Sequence, residues 1–215
     1  MTPKTRYTSE LLKPYFASIL GEIRRSHVAP VFLTIFLGAN DACFRDFTRW
    51  TPLVPLDEYE ANLRGFVDAF LAEPATGNAK VILITPPPIN VRRPAAADYE
   101  GLAPAAKEAF IRANAEEGRG ERTFRNKKEY ADKVLALADE YARADTGGRV
   151  LGLNFWKAVV DFALHKEGAD VETAYAEGRL PGSGHPDAKE FTTDIFTDRL
   201  HLGKTVSGPK YCNPP

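Results

Sequence analysis

The chain of 215 residues is poor in several kinds of residue, and each scarcity excludes a class of protein. It has two cysteines, Cys43 and Cys212, which are too few for a disulfide framework, so we expect a reducing, cytoplasmic location. The 28 basic and 29 acidic residues leave a net charge of −1, which provides no basic stripe for nucleic acid. No apolar run is long enough to cross a membrane, and the first residues lack the apolar region of a signal peptide.

The sequence also offers little to a metal ion or a nucleotide. His27, His165 and His185 have no acidic or cysteine neighbours at the spacing that zinc ligands require. The glycines between Gly178 and Gly184 do not form the phosphate-binding pattern of a P-loop or a dinucleotide fold. We therefore expect no metal site and no nucleotide site.

What the chain does contain is an alternation of helical and strand-like segments. The apolar share of 44% and the charged share of 27% are typical of a globular protein. Helical spacing of apolar residues predicts helices at Ser9–Ser26, Asp57–Leu71, Lys127–Ala144 and Phe155–His165. Asp57 is the predicted N-cap of the second helix, and its predicted inward stripe consists of Tyr59, Leu63, Phe66, Val67 and Phe70. Continuous apolar runs predict strands at Pro30–Leu37, Lys80–Thr85 and Arg149–Leu153, the first of them buried on both faces. This alternation predicts an α/β fold with a parallel sheet.

Two stretches between these elements are interpreted as irregular. Residues Arg92–Arg125 are charged and weakly periodic, so we expect a surface excursion with a short helix around Ala105–Ala113. The glycine, proline and serine content of Gly178–Phe196 predicts a loop.

Two polar motifs lie in loops, Gly38-Ala39-Asn40-Asp41 and Asp198-Arg199-Leu200-His201. The first follows a predicted strand, where α/β proteins bind ligands, and an Asn amide there can donate to a developing oxyanion. In the second, Asp198 lies three residues before His201, so a turn lets the carboxylate orient the imidazole as a base. Taken alone, either motif is better explained by an ordinary turn or by exposed polar residues.

Taken together and in this order, the motifs resemble those of the SGNH, or GDSL-type, hydrolases. Within that family the chain is most similar to the isoamyl acetate-hydrolysing esterases. The segments that carry the resemblance are Val31–Ala42, Val54–Arg64, Val81–Pro88 and Phe196–Leu202.

The resemblance implies a flavodoxin-like three-layer α/β/α sandwich with five parallel strands. It implies hydrolysis of a small-molecule ester, with a short acyl group, through an acyl-enzyme and without any cofactor. By the same resemblance His201 is the general base, Asp198 orients it, and Asn40 donates to the oxyanion. Gly38 supports the loop, and we expect Asp41 to fix the loop and not to take part in the chemistry.

The chain departs from the family at the nucleophile, which is the serine of a Gly-Asp-Ser motif that this sequence does not contain. The serines present are Ser9, Ser18, Ser26, Ser183 and Ser207, and none follows Gly-Asp. Arg6 stands where the family has an oxyanion-loop glycine. We therefore expect one SGNH-like domain over residues 1–215, incomplete at its start, with the first two strands missing and an atypical tail at 203–215.

These departures shape the functional hypothesis. The strand at Val31–Leu37 would become an exposed sheet edge, and a long, flat, apolar edge tends to pair with other chains. We expect an SGNH-type ester hydrolase by family and an inactive chain as written. A non-catalytic SGNH-fold binding protein and a truncated gene product remain as alternatives, and the oligomeric state is left open.

Overall fold

The structure is a computed structural model that describes residues 7–26, 28–46, 49, 51–115, 122–144 and 147–207. The chain divides into two compact units. One comprises Met1–Pro87 and Glu129–Phe155, and the other comprises Pro88–Lys128 and Trp156–Pro215. The expectation of a single domain over residues 1–215 stays a prediction, because a division into compact units does not by itself decide the number of domains.

The first unit is built on a parallel sheet. Its strands and a small hairpin are β1 (Phe32–Phe36), β2 (Phe44–Asp46), β3 (Thr51–Pro52), β4 (Lys80–Ile84) and β5 (Val150–Leu153). Strands β1, β4 and β5 form the sheet in the order β1-β4-β5, with both pairings parallel, and β2 pairs antiparallel with β3. The predicted α/β class with a parallel sheet is confirmed. The three-layer flavodoxin-like arrangement remains an implication of the family resemblance.

Helices account for most of the remaining regular structure. They are α1 (Ser9–Arg25), α2 (Leu56–Ala72), α3 (Pro104–Ala115), α4 (Phe124–Arg143), α5 (Phe155–Lys166), α6 (Val171–Ala176) and α7 (Lys204–Ser207). The four long predicted helices and the short one near Ala105 are therefore confirmed within a few residues. Helix α6 and the β2–β3 hairpin were not predicted, because both are too short to show a clear apolar period.

One prediction about a helix end was wrong. Helix α2 begins at Leu56, its N-cap is Pro55, and no side chain caps it. Asp57, predicted as the N-cap, lies in the first turn instead. Its negative charge there still interacts favourably with the positive end of the helix dipole.

The core of the first unit lies between one face of the sheet and the helices α1, α2 and α4. Its larger members are Phe16, Leu20, Ile35, Val54, Tyr59, Leu63, Phe66, Val67, Phe70, Val81, Leu83, Tyr130, Val134, Leu137, Tyr141 and Val150. Burial of each large apolar side chain contributes about 1.5–3 kcal/mol, so this core stabilises the unit substantially. The inward stripe predicted for α2 is confirmed.

The opposite face of the sheet does not match the prediction. Phe32 and Phe36 of β1 are 56% and 48% exposed, so the expectation that this strand is buried on both faces was wrong. Leu151 and Leu153 of β5 are also exposed. The predicted edge position is confirmed, because β1 is the outermost strand of the sheet over the described residues.

The second unit combines α3, α5, α6 and α7 with long irregular segments. Isolated bridges join Val91 to Ser183 and Phe196 to Leu202, and the region Gly178–Phe196 contains no helix. Helix α7 gives the start of the predicted atypical tail one helical turn, whereas residues 208–215 lie outside the described residues. Over the described part of the chain, no helix has both the length and the apolarity to cross a bilayer.

Candidate active site

Gly38 lies two residues after the end of β1 in a conformation that favours glycine. Its φ angle is +106°, and a Cβ atom on this residue would lie 2.7 Å from Tyr59 Oη and 3.0 Å from Pro86 Cγ. The Tyr59 hydroxyl donates to the carbonyl of Leu37 at 3.1 Å, so it packs directly beneath the turn. The absence of a side chain at Gly38 therefore allows the chain to turn tightly over Tyr59.

The buried Asp41 stabilises this turn by accepting hydrogen bonds from the backbone. Its fully buried carboxylate accepts from the backbone N–H of Gly38 at 3.1 Å and from that of Ser9 at 2.8 Å. Ser9 is the first residue of α1, and the positive end of a helix dipole favours a negative charge there. Burial, and to a smaller extent the negative charge of Asp41, raise the pKa of the neighbouring Tyr59 well above its usual value.

Asn40, predicted as the oxyanion donor, lies in the same turn and is partly exposed. Its Nδ2 atom donates to the carbonyl of Tyr7 at 2.9 Å, which ties the turn to the residue that precedes the cap of α1. An Asn side chain has two N–H groups, so this bond is compatible with a second donation. The oxyanion role of Asn40 remains a prediction.

Asp198 and His201 form a close pair in the second unit. Atom Oδ2 of Asp198 is 2.7 Å from Nδ1 of His201, and Oδ1 accepts from the backbone N–H groups of Leu200 at 3.1 Å and His201 at 2.8 Å. Both side chains are exposed, His201 by 74% and Asp198 by 49%. This geometry fixes Nδ1 on the carboxylate and leaves Nε2 as the ring nitrogen that can act as a base.

The loop that carries this pair is anchored at Arg199. This residue has φ of +71°, and no other residue apart from glycine has a positive φ in the described chain. Its carbonyl accepts from the N–H of Asn90 at 2.9 Å, and its guanidinium pairs with Glu190 at 3.1 Å. The buried Asn90 side chain also exchanges two hydrogen bonds of 2.9 Å with the backbone of Phe191. Asn90 thus holds both ends of the 191–199 segment.

A cavity of about 270 Å³ adjoins Asp198. It is lined by Asn90, Glu190, Phe191, Thr193, Phe196, Thr197, Asp198 and Arg199. The lining combines two aromatic rings with several hydroxyl and charged groups, and it includes Asp198 but not His201.

The structure therefore arranges the predicted site residues in two groups. Gly38, Asn40 and Asp41 share one turn in the first unit, and Asp198 and His201 share one loop in the second unit. The sequence reasoning did not identify Asn90 or the left-handed Arg199. The sequence signal for Asn90 is a polar residue soon after Pro86-Pro87-Pro88. This signal is weak, because loops commonly contain asparagine.

None of the serines with described side chains has the setting of an activated nucleophile. Ser9 is fully buried, and its Oγ accepts from Asn62 at 2.9 Å. Ser183 is also buried, and its Oγ accepts from the N–H of His185 at 3.2 Å. Ser18 and Ser26 lie on or just after α1 and are exposed.

Asp198 is expected to titrate well below an ordinary aspartate. The backbone N–H of His201 and then its side chain hold the pKa of Asp198 at about 2, against about 3.9 in an unfolded chain. Because the folded-state pKa is the lower one, the stabilising contribution is complete above about pH 4 and is lost as the pH falls toward 2. Carboxyl-carbon NMR titration should give a midpoint near 2 for Asp198 and a higher one in His201→Ala. A midpoint near 3.9 in the unmodified chain would contradict this geometry.

Comparison with known proteins finds esterases that are similar to parts of this chain, although no protein-family model matches it. An isoamyl acetate-hydrolyzing esterase 1 homolog of Mus musculus is 50% identical over 60 residues, or 28% of this chain and 23% of that protein. A GDSL esterase/lipase of Arabidopsis thaliana is 34% identical over 111 residues, or 52% of this chain and 41% of that protein. A lipase/acylhydrolase structure from Enterococcus faecalis has a TM-score of 0.48 and 19% identity, over 93% of this chain and 64% of that chain.

The sequence matches confirm the resemblance to the SGNH, or GDSL-type, esterase family over the matched parts of the chain. The more specific similarity to isoamyl acetate-hydrolysing esterases is confirmed as well, since homologs with that name from Rattus norvegicus and Bos taurus also match. The chain spans about a quarter of the length of the isoamyl acetate-hydrolysing relatives. The similarity therefore does not extend to the activity or the substrate of this chain.

Proposed function

We propose that the chain carries the base and the oxyanion loop of an SGNH-type ester hydrolase that acts on short acyl esters of small alcohols. The observation that supports this best is the 2.7 Å contact between His201 Nδ1 and Asp198 Oδ2. In this assignment Nε2 of His201 accepts the proton of a nucleophile and Asp198 stabilises the resulting imidazolium. The Asn40 amide donates to the oxyanion of the tetrahedral intermediate, and no step requires a metal or a cofactor.

We propose in addition that the 215 residues do not turn over esters by themselves. The sequence has no Gly-Asp-Ser motif, and the described serine hydroxyls of Ser9 and Ser183 are buried. Loss of a serine nucleophile leaves only the small residual rate that oxyanion stabilisation and binding can provide. A non-catalytic protein that binds esters through the retained loops is the second candidate.

The experiment uses the purified chain, p-nitrophenyl acetate and p-nitrophenyl butyrate. We expect hydrolysis at the same rate as in the His201→Ala variant, and no stoichiometric labelling by a fluorophosphonate. Turnover that the His201→Ala change abolishes, together with one labelled serine, would overturn the proposed inactivity and support hydrolysis.

Binding is tested separately by NMR. Added isoamyl acetate is expected to shift the signals of the Asn40 side-chain amide and of the His201 ring in the folded chain. Shifts that are absent at both residues would count against the proposed ester site, whether or not any hydrolysis occurs.

A further inference from the structure

The outer side of β1 presents backbone hydrogen-bonding groups to an open edge. The N–H of Lys80 donates to the carbonyl of Val31 at 3.1 Å. Since successive residues of a strand direct these groups to opposite edges, Leu33 and Ile35 also face β4. The N–H and C=O groups of Phe32, Thr34 and Phe36 therefore point away from the sheet. Over the described residues no strand pairs with that side.

The side chains of the same three residues lie on the exposed face of the sheet. Phe32 and Phe36 are 56% and 48% exposed, and Thr34 between them is exposed as well. No charged residue occurs between Val28 and Asn40. Natural sheet edges are commonly protected by lysines, prolines or bulges, and β1 from Phe32 to Phe36 has none of these.

We propose that two copies of this chain dimerise by antiparallel pairing of their β1 strands about a two-fold axis at Thr34. In that register Thr34 lies opposite Thr34 of the second copy, and Phe32 lies opposite Phe36 of the second copy. All three residues direct their backbone groups outward, so each opposed pair exchanges two hydrogen bonds. The two short sheets then become one sheet of six strands.

The composition of β1 favours a second copy as the occupant. A two-fold axis at Thr34 pairs the strand with its own copy, so a strand that carries charges of one sign would repel itself, whereas β1 is uncharged. The register instead places aromatic rings opposite each other, and such cross-strand pairs contribute about 0.2–1 kcal/mol each. Pairing about a two-fold axis is also closed, so the assembly stops at two copies.

The other edge of the sheet is less suited to pairing. Strand β5 has four residues, and the carbonyls of Arg149 and Leu153 accept from the β4 side, which leaves Gly152 among the residues that face outward. Glycine weakens a strand because it has no side chain to pack across the ladder. The longer, β-branched and aromatic β1 is therefore the edge that a second copy would use.

The test is sedimentation velocity on the full 215-residue chain over a range of concentrations, combined with backbone hydrogen exchange. We expect a monomer–dimer equilibrium. The amides of Phe32, Thr34 and Phe36 should gain protection as the dimer forms, whereas those of Leu33 and Ile35 should be protected at all concentrations by β4. Protection that alternates in this way identifies the edge, because burial of the sheet face alone would not produce it.

Two matched variants separate edge pairing from stacking of the exposed faces. Thr34→Lys places two ammonium groups opposite each other on the axis and should raise the dimer dissociation constant at least about tenfold. Leu153→Lys changes another exposed residue of the same face, two strands away, and should leave the dimer intact. Near-ultraviolet circular dichroism checks that both variants keep their tertiary structure.

Three results would overturn the proposal. The first is a monomer at every concentration, which would mean that the edge stays unpaired or is filled by some other segment. The second is a dimer that Leu153→Lys dissociates and Thr34→Lys does not, which would indicate face-to-face stacking. The third is growth beyond two copies, which a closed two-fold pairing does not allow.

Discussion

Replacement of Asp41 with alanine is expected to lower the free energy of unfolding by about 3 kcal/mol. The carboxylate is fully buried and accepts from the N–H groups of Gly38 and Ser9. Alanine would leave both buried donors without an acceptor, and each such group costs about 1–3 kcal/mol. It would also remove a negative charge from the N-terminus of α1. Urea denaturation followed by circular dichroism measures the change.

Two further variants show which property of Asp41 matters. Asp41→Asn keeps the volume but presents an N–H to one of the two donors, so we expect a loss close to that of the alanine variant. Thr8→Ala removes the N-cap hydroxyl that accepts from Leu11 at the same helix end, and should cost only about 1 kcal/mol. If Asp41→Asn is as stable as the unmodified chain, packing rather than hydrogen bonding explains the effect.

Gly38→Ala is expected to destabilise the chain by a similar amount, about 3 kcal/mol. A positive φ costs a residue with a Cβ about 1–2 kcal/mol, and an added methyl in a filled site costs about 1–3 kcal/mol. Here the new Cβ would lie 2.7 Å from the hydroxyl of Tyr59, which is itself held by the carbonyl of Leu37. Thermal and urea unfolding provide the measurement.

The control is a glycine with the same sign of φ but with free space around it. Gly148 has φ of +64°, and a Cβ atom added there would have no heavy atom within 4 Å, so Gly148→Ala should cost only about 1 kcal/mol. Tyr59→Phe removes the atom nearest to the clash and should make Gly38→Ala less costly in a double-mutant cycle. Equal losses in Gly38→Ala and Gly148→Ala would show that the packing over Tyr59 contributes nothing.

Much of the first unit follows from local patterns. The apolar runs at Pro30–Leu37 and Lys80–Thr85 predicted strands, and the stripe on α2 predicted a buried face, because both periods reflect local backbone geometry. Helix ends were harder to predict. Asp57 is a common N-cap residue, yet α2 begins one residue before it, since the entering loop decides which residue leaves the helical conformation.

The candidate site also has contacts that local spacing predicted and contacts that it could not predict. Asp198 and His201 are three residues apart, so a local turn is enough to join them, and their spacing was informative. Asp41 accepts from Ser9, which is 32 residues away, and Asn90 binds Phe191, which is 101 residues away. No local pattern can identify contacts at such separations, because they depend on how distant segments pack.

By itself, the sequence determined the α/β class, the main helices and strands, the family resemblance and the absence of a Gly-Asp-Ser motif from these 215 residues. These properties depend on residue type and short-range spacing alone. Only the tertiary structure decided that Asp41 accepts from the N–H of the first residue of α1, that Asn90 anchors the Asp198–His201 loop, and that Phe32 and Phe36 are exposed. Burial and hydrogen bonding between distant segments are set by packing, and an apolar strand has the same sequence whether or not another layer covers it.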